Sequence, residues 1–225
     1  MTSKHVVFIT GGTGFMGRAL IPQLIERGDE VRALVRPGSE KKLPDGCIAI
    51  PGDALHGESY AQQVYGADTF VHLIGTHHPN PSKAAQFRAV DLVSIQAAVG
   101  AARAAGVAHF IYLSVAQPAP IMREYIAVRA EGERLLRETC QATGMGATFV
   151  RPWYVLGPGR LWPLALKPMY WLMEAIPATR ERAIRLGLVT REQMVATLAR
   201  AVEEPAAGIR IVETQDIRRA GTAVR

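Results

Sequence analysis

The sequence contains few of the residues that stabilise small secreted or metal-dependent domains. It has two cysteines, Cys47 and Cys140, which lie far apart and outside any Cys-x-x-Cys or Cys/His cluster. They exclude a disulfide framework and a structural zinc site, and they favour a reducing compartment. No apolar run reaches the roughly 20 residues that a membrane-spanning helix needs. No basic and apolar leader precedes the first strand-like run at Val6, so we expect a cytoplasmic protein.

The residues that are present indicate one α/β domain. The chain has 225 residues, and a hydrophobic content of 48% is enough to fill the interior of one large domain. Short apolar runs alternate with helical patterns, which is typical of a parallel sheet covered by helices on both faces. We therefore predict a doubly wound parallel sheet, a Rossmann fold, in a single domain over residues 1–225, with residues 155–225 forming a small helical substrate or lid extension. The predicted strands are Val6–Thr10, Val31–Val35, Cys47–Pro51, Thr69–Ile74, Phe110–Leu113, Ala147–Arg151 and Ile209–Val212.

A glycine-rich motif follows the first predicted strand and opens a helix. It reads Thr10-Gly11-Gly12-Thr13-Gly14-Phe15-Met16-Gly17, and a second strand follows at Val31. Glycines permit the tight turn and let backbone N–H groups approach a pyrophosphate at the positive amino end of the helix. A turn without a ligand is the alternative. The strand, motif, helix and second strand together favour a dinucleotide-binding unit.

The residue at the end of the second strand indicates whether NAD or NADP is the preferred dinucleotide. An acidic residue about 20 positions after the glycines would bind the ribose hydroxyls of NAD, but the chain has Arg36 there. Arg36, with Lys41 and Lys42 nearby, suits the 2′-phosphate of NADP, because the guanidinium fork matches phosphate geometry. The alternative is an ordinary exposed basic loop. We expect NADP as the cofactor, with NAD as the second option.

Further motifs follow in an order that resembles the extended and atypical short-chain dehydrogenase/reductases. They are Gly52-Asp53, the run from His72 to Gly75, the run from Tyr112 to Ser114, and Arg151-Pro152. The resemblance covers about residues 5–160 and is nearest to the NAD(P)H-binding branch that includes the NmrA-like regulators and the complex I accessory subunit. It implies that the Asp53 carboxylate contacts adenine. The expected cofactor-binding residues are Gly11, Thr13, Gly14, Phe15, Met16, Gly17, Arg36, Asp53, Ala54, Leu73, Ile74, Gly75 and Pro152.

The same resemblance implies a catalytic pair on a helix predicted from Ile121 to Gln141. In this superfamily a Tyr exchanges a proton and a Lys four residues later lowers its pKa, and here the pair reads Tyr125 and Arg129. The spacing places both on one helix face, which the neighbouring apolar residues mark as buried. We expect Tyr125 to be the proton donor, Arg129 its electrostatic partner and Ser114 a substrate hydrogen bonder. The alternative is a core Tyr beside a structural Arg.

Arg129 is the only charged residue that we place on this buried side of the helix. A buried guanidinium needs a polar or anionic partner, and we expect a bound cofactor to be that partner. Asp91, on a helix predicted from Ser82 to Ala105, takes a place where extended members often carry Asn. His77 and His78 follow the fourth strand, but adjacent residues rarely converge on one metal ion, so we predict no metal site.

The carboxyl-terminal third combines a basic excess with an apolar segment. Residues 151–225 hold 12 basic and 7 acidic side chains, against 14 and 13 in residues 1–150. The apolar segment, residues 161–176, suits core packing or a lid over the cleft, an oligomer face, or weak contact with an anionic membrane surface. We expect a monomer or homodimer, and no nucleic-acid partner because no aromatic and basic platform is present. The basic residues next to the segment are Arg160, Lys167, Arg180, Arg182 and Arg185.

Two functions therefore fit the sequence. The first is an NADP(H)-dependent oxidoreductase that acts on a small apolar carbonyl compound or a quinone-like acceptor. The second is a non-catalytic module that senses the dinucleotide, as the regulators it resembles do. In both cases the partner is a small molecule bound beyond the carboxyl ends of the strands.

Overall fold

A computed structural model describes residues 4–159 and 162–220 of the chain, and a seven-stranded sheet lies at its centre. The described strands are β1 (Val6–Thr10), β2 (Glu30–Val35), β3 (Ile48–Pro51), β4 (Thr69–His72), β5 (His109–Leu113), β6 (Gly146–Arg151), β7 (Tyr154–Leu156), β8 (Leu188–Thr190) and β9 (Ile209–Glu213). The order of the main sheet is β3-β2-β1-β4-β5-β6-β9, and each neighbouring pair is parallel. This order confirms the predicted doubly wound Rossmann fold.

Helices cover both faces of this sheet. The described α-helices are α1 (Gly17–Glu26), α2 (Ala61–Val64), α3 (Ala84–Gln86), α4 (Val93–Ala104), α5 (Arg123–Thr143), α6 (Lys167–Ala175), α7 (Pro177–Arg185), α8 (Arg191–Glu203) and α9 (Thr214–Ala220). One hydrophobic cluster joins the sheet to α4 and α5, and a second joins the opposite face to α1 and α8. Both faces are therefore buried, as the nearly continuous apolar strands predict.

The first strand contributes side chains to both hydrophobic clusters. Val7, Phe8 and Ile9 are all fully buried, although successive side chains of a strand point to opposite faces. Phe8 packs with Phe70, ring centroids 5.1 Å apart, in the cluster under α4 and α5. Val7 and Ile9 belong to the cluster with α1 and α8. A strand of this kind cannot alternate polar and apolar residues, because neither face meets water.

The carboxyl-terminal part of the chain is largely helical, as predicted. Strand β9 is the edge strand of the main sheet beside β6, and α8 contributes to the core on α1. A separate two-stranded parallel sheet, β7 with β8, brackets α6 and α7 in the chain. Thr190 caps the start of α8 with a capping box, in which its hydroxyl accepts the Gln193 N–H at 3.2 Å and the Gln193 side chain accepts the Thr190 N–H at 2.8 Å.

The helix predicted from Ser82 to Ala105 is interrupted. A π-helical turn spans Phe87–Leu92, between α3 and α4, and Asp91 lies in it with its side chain fully buried. Single π-helical turns occur inside longer helices and are frequent at functional sites. Periodicity alone does not reveal such a turn, because the apolar spacing on either side remains helical.

The fold makes a specific prediction for Gly17, the first residue of α1. A Cβ at this position would lie 2.5 Å from the carbonyl oxygen of Gly11 and 2.5 Å from Cα of Gly12, and neither backbone atom can move aside. We expect Gly17→Ala to lower the free energy of unfolding by about 2 kcal/mol or more, measured by urea denaturation. The matched control is Gly100→Ala in α4, where a Cβ meets nothing within 4 Å and helix propensity favours Ala. Equal stabilities of the two variants would contradict the predicted close packing.

Candidate cofactor and active site

The glycine loop between β1 and α1 has the shape of a phosphate cradle. Gly11 has φ +82°, and a Cβ there would approach the backbone of Leu73 at 3.0 Å, so only glycine fits without strain. The turn is closed by a hydrogen bond from the Gly14 N–H to the Gly11 carbonyl at 3.0 Å. Gly14 itself is exposed, so none of the described residues covers the loop at its centre.

The amino end of α1 is available to an anion. Met16 is its N-cap residue and makes no side-chain capping hydrogen bond. The first-turn amide groups of a helix lack partners within the helix and carry partial positive charge. An exposed Gly14 in front of this turn leaves room for a pyrophosphate. The residues present therefore fit a dinucleotide, which Gly11, Thr13, Gly14, Phe15, Met16 and Gly17 would hold.

Two further predicted cofactor residues lie at the ends of the neighbouring strands. Thr10 pairs with Leu34 of β2, so Arg36 leaves that strand beside the glycine loop, where its side chain is exposed. Asp53 follows β3, and its carboxylate accepts a hydrogen bond from the Leu55 N–H at 3.0 Å. Asp53 is exposed on this rim, and the half-buried Ala54 follows it.

The predicted residues Leu73, Ile74 and Gly75 form the loop that follows β4. The Leu73 N–H donates to the Thr10 carbonyl at 3.0 Å, which keeps this loop against the end of β1. Pro152, after β6, is buried, and its carbonyl accepts the Ala116 N–H at 2.9 Å. These contacts fix the loops at one end of the sheet.

A buried ion pair joins these loops. Nη2 of Arg129 lies 2.6 Å from Oδ1 of Asp91, and the two side chains are 3% and 0% exposed. The same guanidinium donates to the Leu113 carbonyl at 3.0 Å and to the Ile74 carbonyl at 3.1 Å. Asp91 also accepts the Thr76 N–H at 3.0 Å. Arg129 therefore ties α5 to the ends of β4 and β5 and to the π-helical turn.

Burial and the charges of this cluster shift the pKa values of Arg129 and His72. Burial opposes the charged form of Arg129, but the Tyr125 and Tyr112 phenols and the Asp91 carboxylate hold its pKa above the ordinary value. Burial, with a smaller contribution from Arg129, lowers the pKa of His72 to about 3. His72 is therefore neutral at physiological pH, and its Nδ1 lies 2.8 Å from the Thr10 hydroxyl.

Two tyrosines flank the Arg129 guanidinium, and they differ in their exposure to solvent. Tyr112, 5.6 Å away at its ring centre, is fully buried, and burial raises its pKa to about 12. Tyr125, at 5.2 Å, is half-buried and packs against Phe87 with ring centroids 5.0 Å apart. Its phenol oxygen has no hydrogen-bond partner among the residues that the structure describes. Only Tyr125 combines proximity to the charge with an accessible, uncommitted hydroxyl.

A second buried cluster surrounds Glu133 on α5. Its Oε1 accepts hydrogen bonds from the Ser114 hydroxyl at 2.7 Å, Gln117 Nε2 at 3.0 Å and Arg151 Nε at 2.8 Å. Arg151 continues to Glu213 of β9 at 2.9 Å. Ser114, which we expect to hydrogen-bond a substrate, is buried and donates its hydroxyl to the Glu133 carboxylate.

Two expectations are corrected on the same helix. The partner of Arg129 is Asp91 of the chain itself, so the guanidinium does not need a cofactor to satisfy its charge. Arg129 is also not the only charged residue on the buried side, because Glu133 is 3% exposed. Helical spacing is the sequence signal that identifies Glu133. This residue lies four positions after Arg129, which itself lies four positions after Tyr125. All three residues therefore lie on one stripe of the helix.

The remaining candidates take no part in these clusters. His77 and His78 are exposed, with ring centroids 4.0 Å apart. Within the described ranges, no group of three or more His, Cys, Asp or Glu side chains is placed to hold a metal ion. Leu161 and Arg160 of the predicted apolar and basic segment lie outside the described residues. Among the rest of that segment, Tyr170 is buried while Trp171 and Leu172 are exposed.

Comparison with known families identifies the class of protein. The sequence pattern of a family described as NAD(P)H-binding matches residues 11–159, which include the glycine loop and the Tyr125 helix. The chain belongs to this NAD(P)H-binding family.

Individual relatives agree with this class. A ceramide reductase of Caulobacter vibrioides is 30% identical over 221 residues, covering 97% of this chain and 67% of that protein. A ketoreductase of Stigmatella aurantiaca, acting on a farnesylated dihydroquinoline oxide, is 29% identical over 171 residues, 67% of this chain and 50% of that protein. The chain thus spans two thirds of the first relative and half of the second. Family, fold and relatives support an NAD(P)-binding oxidoreductase over a non-catalytic regulator.

Solved structures share the fold. An NAD complex of Thermus thermophilus UDP-glucose 4-epimerase aligns with a TM-score of 0.69 and 18% identity over 97% of this chain and 82% of that one. An NAD-bound superfamily member from Agrobacterium tumefaciens aligns with a TM-score of 0.67 and 19% identity over 92% and 77%. Within residues 4–159 and 162–220, no helix has the length and apolar character that a bilayer crossing requires.

The buried ion pair yields a double-mutant prediction. Arg129→Met leaves the Asp91 carboxylate buried and unpaired, so we expect a loss of about 3–5 kcal/mol in the free energy of unfolding. Asp91→Leu leaves the opposite charge unpaired. The double variant removes both charges and should lose less than the sum of the single variants, by about 3 kcal/mol. Urea denaturation of the four proteins measures this coupling.

The control pair lies on the same helix. Arg134 and Glu138 of α5 form an exposed i, i+4 ion pair at 2.5 Å. Exposed helical pairs of this kind contribute about 0.3–0.5 kcal/mol, so their coupling should be small. A coupling between Asp91 and Arg129 no larger than that of the exposed pair would contradict a central role for the buried pair.

Proposed function

We propose that the protein is an NADP(H)-dependent reductase of a lipophilic carbonyl or quinone-like compound, with Tyr125 as the proton donor. The observation that carries this proposal is the placement of Tyr125: its ring lies against the fixed charge of Arg129, and its hydroxyl has no partner among the described residues. A bound NADPH supplies the hydride. The chain must then supply one proton and a surface that orients the substrate.

Tyr125 can deliver that proton directly. Its O–H proton passes to the substrate oxygen as the carbonyl carbon is reduced, and the remaining phenolate is stabilised by the positive Arg129. Arg129 stays charged at all relevant pH values and cannot pass a proton onward. Tyr125 must therefore recover its proton from water at the half-exposed side of its ring.

The pairing of Arg129 with Asp91 also weakens the electrostatic stabilisation that Arg129 gives to the Tyr125 phenolate. The carboxylate lies 2.6 Å from the guanidinium and partly cancels its potential at the phenol. An unpaired lysine in the same place would favour the phenolate more strongly. The potential of Arg129 at the phenol is partly cancelled, and Arg129 cannot pass a proton onward. We therefore expect a slow reductase.

The preference for NADP over NAD rests on Arg36. It is exposed beside the glycine loop, and its guanidinium has no hydrogen bond or ion pair to the described residues. Lys41 and Lys42 are exposed in the same loop and raise the local positive potential. Glu40 accepts the Gly38 N–H at 3.0 Å, so this carboxylate is held by the turn. A free Arg fork at this position suits a ribose 2′-phosphate.

The lipophilic character of the substrate is supported by the relatives. Ceramide and a farnesylated quinoline oxide are named for the two proteins described above. A 3β-hydroxysteroid dehydrogenase of Mycolicibacterium neoaurum is 33% identical over 112 residues, 47% of this chain and 31% of that protein. Each of these names refers to a large apolar compound with a hydroxyl or carbonyl group. We therefore propose the same substrate class for this chain.

The proton donor is tested by Tyr125→Phe. The substitution removes one hydroxyl that has no internal partner, so we expect turnover to fall by about a hundredfold or more and NADPH affinity to change by no more than a few fold. NADPH oxidation across a panel of long-chain ketones, steroid ketones and quinones measures turnover. Fluorescence titration measures the affinity.

The matched control for that experiment is Tyr65→Phe, which removes the hydroxyl of an exposed tyrosine away from the cleft. Its turnover should equal that of the wild type. Unchanged turnover in Tyr125→Phe would eliminate the proton-donor assignment. Tight NADPH binding by a wild-type protein that reduces no panel member would contradict the reductase proposal itself.

The cofactor preference is tested by Arg36→Ala. Loss of charge-assisted hydrogen bonds to the 2′-phosphate should weaken NADPH binding by about tenfold to a hundredfold, while NADH binding should hardly change. Arg103→Ala, an exposed residue of α4 outside the cleft, serves as the control for general charge effects. The NADP assignment fails if the wild type binds both cofactors equally and Arg36→Ala leaves both affinities unchanged.

A further inference from the structure

Helix α6 presents its apolar side chains to solvent. Trp171 is 75% exposed, Leu172 57% and Met169 47%. Leu164, just before the helix, and Ile176, just after it, are exposed as well. Met169 and Leu172 are three residues apart, so they share one side of the helix. Core packing, one of the interpretations open from the sequence, therefore does not account for this side.

The inner side of the same helix carries an acidic residue beside apolar ones. Tyr170 is buried and Met173 half-buried, and Glu174 forms an ion pair with Arg218 of α9 at 3.1 Å. Surface helices of globular proteins normally turn their apolar stripe inward and their charged residues outward. Helix α6 departs from this rule, because Met169, Trp171 and Leu172 face outward. An outward apolar face of this kind fits a helix that lies in the boundary between water and lipid.

The next helix supplies positive charge beside this face. Arg180 and Arg182 of α7 are exposed, and neither has an ion-pair partner among the described residues. The acidic residue between them is Glu181, so the exposed part of α7 keeps a positive balance. Anionic lipid headgroups attract each basic side chain near the surface by about 1 kcal/mol. The charge therefore complements an anionic bilayer.

We propose that α6 and α7 dock the protein on an anionic lipid bilayer. Trp171 and Leu172 enter the headgroup boundary, and Arg180 and Arg182 contact lipid phosphates. A helix of nine residues is about 14 Å long, so its apolar strip is far smaller than the about 800 Å² per partner of a stable dimer. The size of the face thus favours lipid over a second copy of the chain. This contact does not depend on the proposed reductase activity.

Vesicle co-sedimentation tests the contact without any substrate. We expect the wild type to bind vesicles of phosphatidylcholine mixed with phosphatidylglycerol at low salt, and to bind vesicles of phosphatidylcholine alone at least tenfold more weakly. The double variant Trp171→Gln/Leu172→Gln should lose most of this binding. The matched control Ile48→Gln/Tyr65→Gln removes two other exposed apolar side chains and should bind as the wild type does.

A second pair of variants tests the charge. Arg180→Gln/Arg182→Gln should weaken binding to the mixed vesicles by about thirtyfold, which corresponds to about 2 kcal/mol. Arg103→Gln/Arg134→Gln lowers the net charge equally on other helices and should have little effect. Circular dichroism checks that all variants are folded, and NADPH titration checks that the cofactor site is intact.

Three results would overturn the proposal. They are absence of binding to the mixed vesicles at low salt, equal loss of binding in the matched control variants, and a stable dimer in sedimentation velocity that Trp171→Gln/Leu172→Gln converts to a monomer. The last result would assign the face to a second copy of the chain. Failure of the reductase assay would leave the membrane result unaffected, so the two proposals are separable.

Discussion

The ion pair between Arg129 and Asp91 is the interaction on which the rest of the site depends. Both groups are buried, so each would be strongly destabilising without the other. The guanidinium also donates hydrogen bonds to the carbonyl of Leu113, which ends β5, and to the carbonyl of Ile74, which lies in the loop after β4. One side chain of α5 therefore fixes the loops that border the cleft.

This arrangement separates the positive charge beside Tyr125 from the residues proposed to bind the cofactor. Arg129 keeps a positive charge beside Tyr125, but its fork is held by protein groups and points to Asp91. In the proposed function, cofactor binding relies on the glycine loop and the open first turn of α1, where the backbone would provide the contacts. The proposed proton donor Tyr125 then receives weak electrostatic assistance within a rigid frame, which fits a slow reductase.

The sequence predicted the sheet and the glycine loop because both depend on local patterns. Continuous apolar strands and the spacing of Gly11, Gly14 and Gly17 have one compatible arrangement, and the structure confirms it. The partner of Arg129 depends instead on a π-helical turn, which local periodicity does not reveal. The position of β9 in the main sheet likewise requires pairing with β6 across more than fifty residues, and no motif encodes that pairing. Glu133 was predictable from spacing, since it continues the stripe of Tyr125 and Arg129.

The most direct test of this account is a crystal structure of the NADPH complex. We expect the pyrophosphate to lie at Gly14 and the first turn of α1, Arg129 to remain within hydrogen-bond distance of Asp91, and the Tyr125 hydroxyl to face the nicotinamide. An Arg129 side chain that leaves Asp91 to bind the cofactor ribose would contradict this expectation, because the buried ion pair would then be a resting arrangement and not the frame of the site.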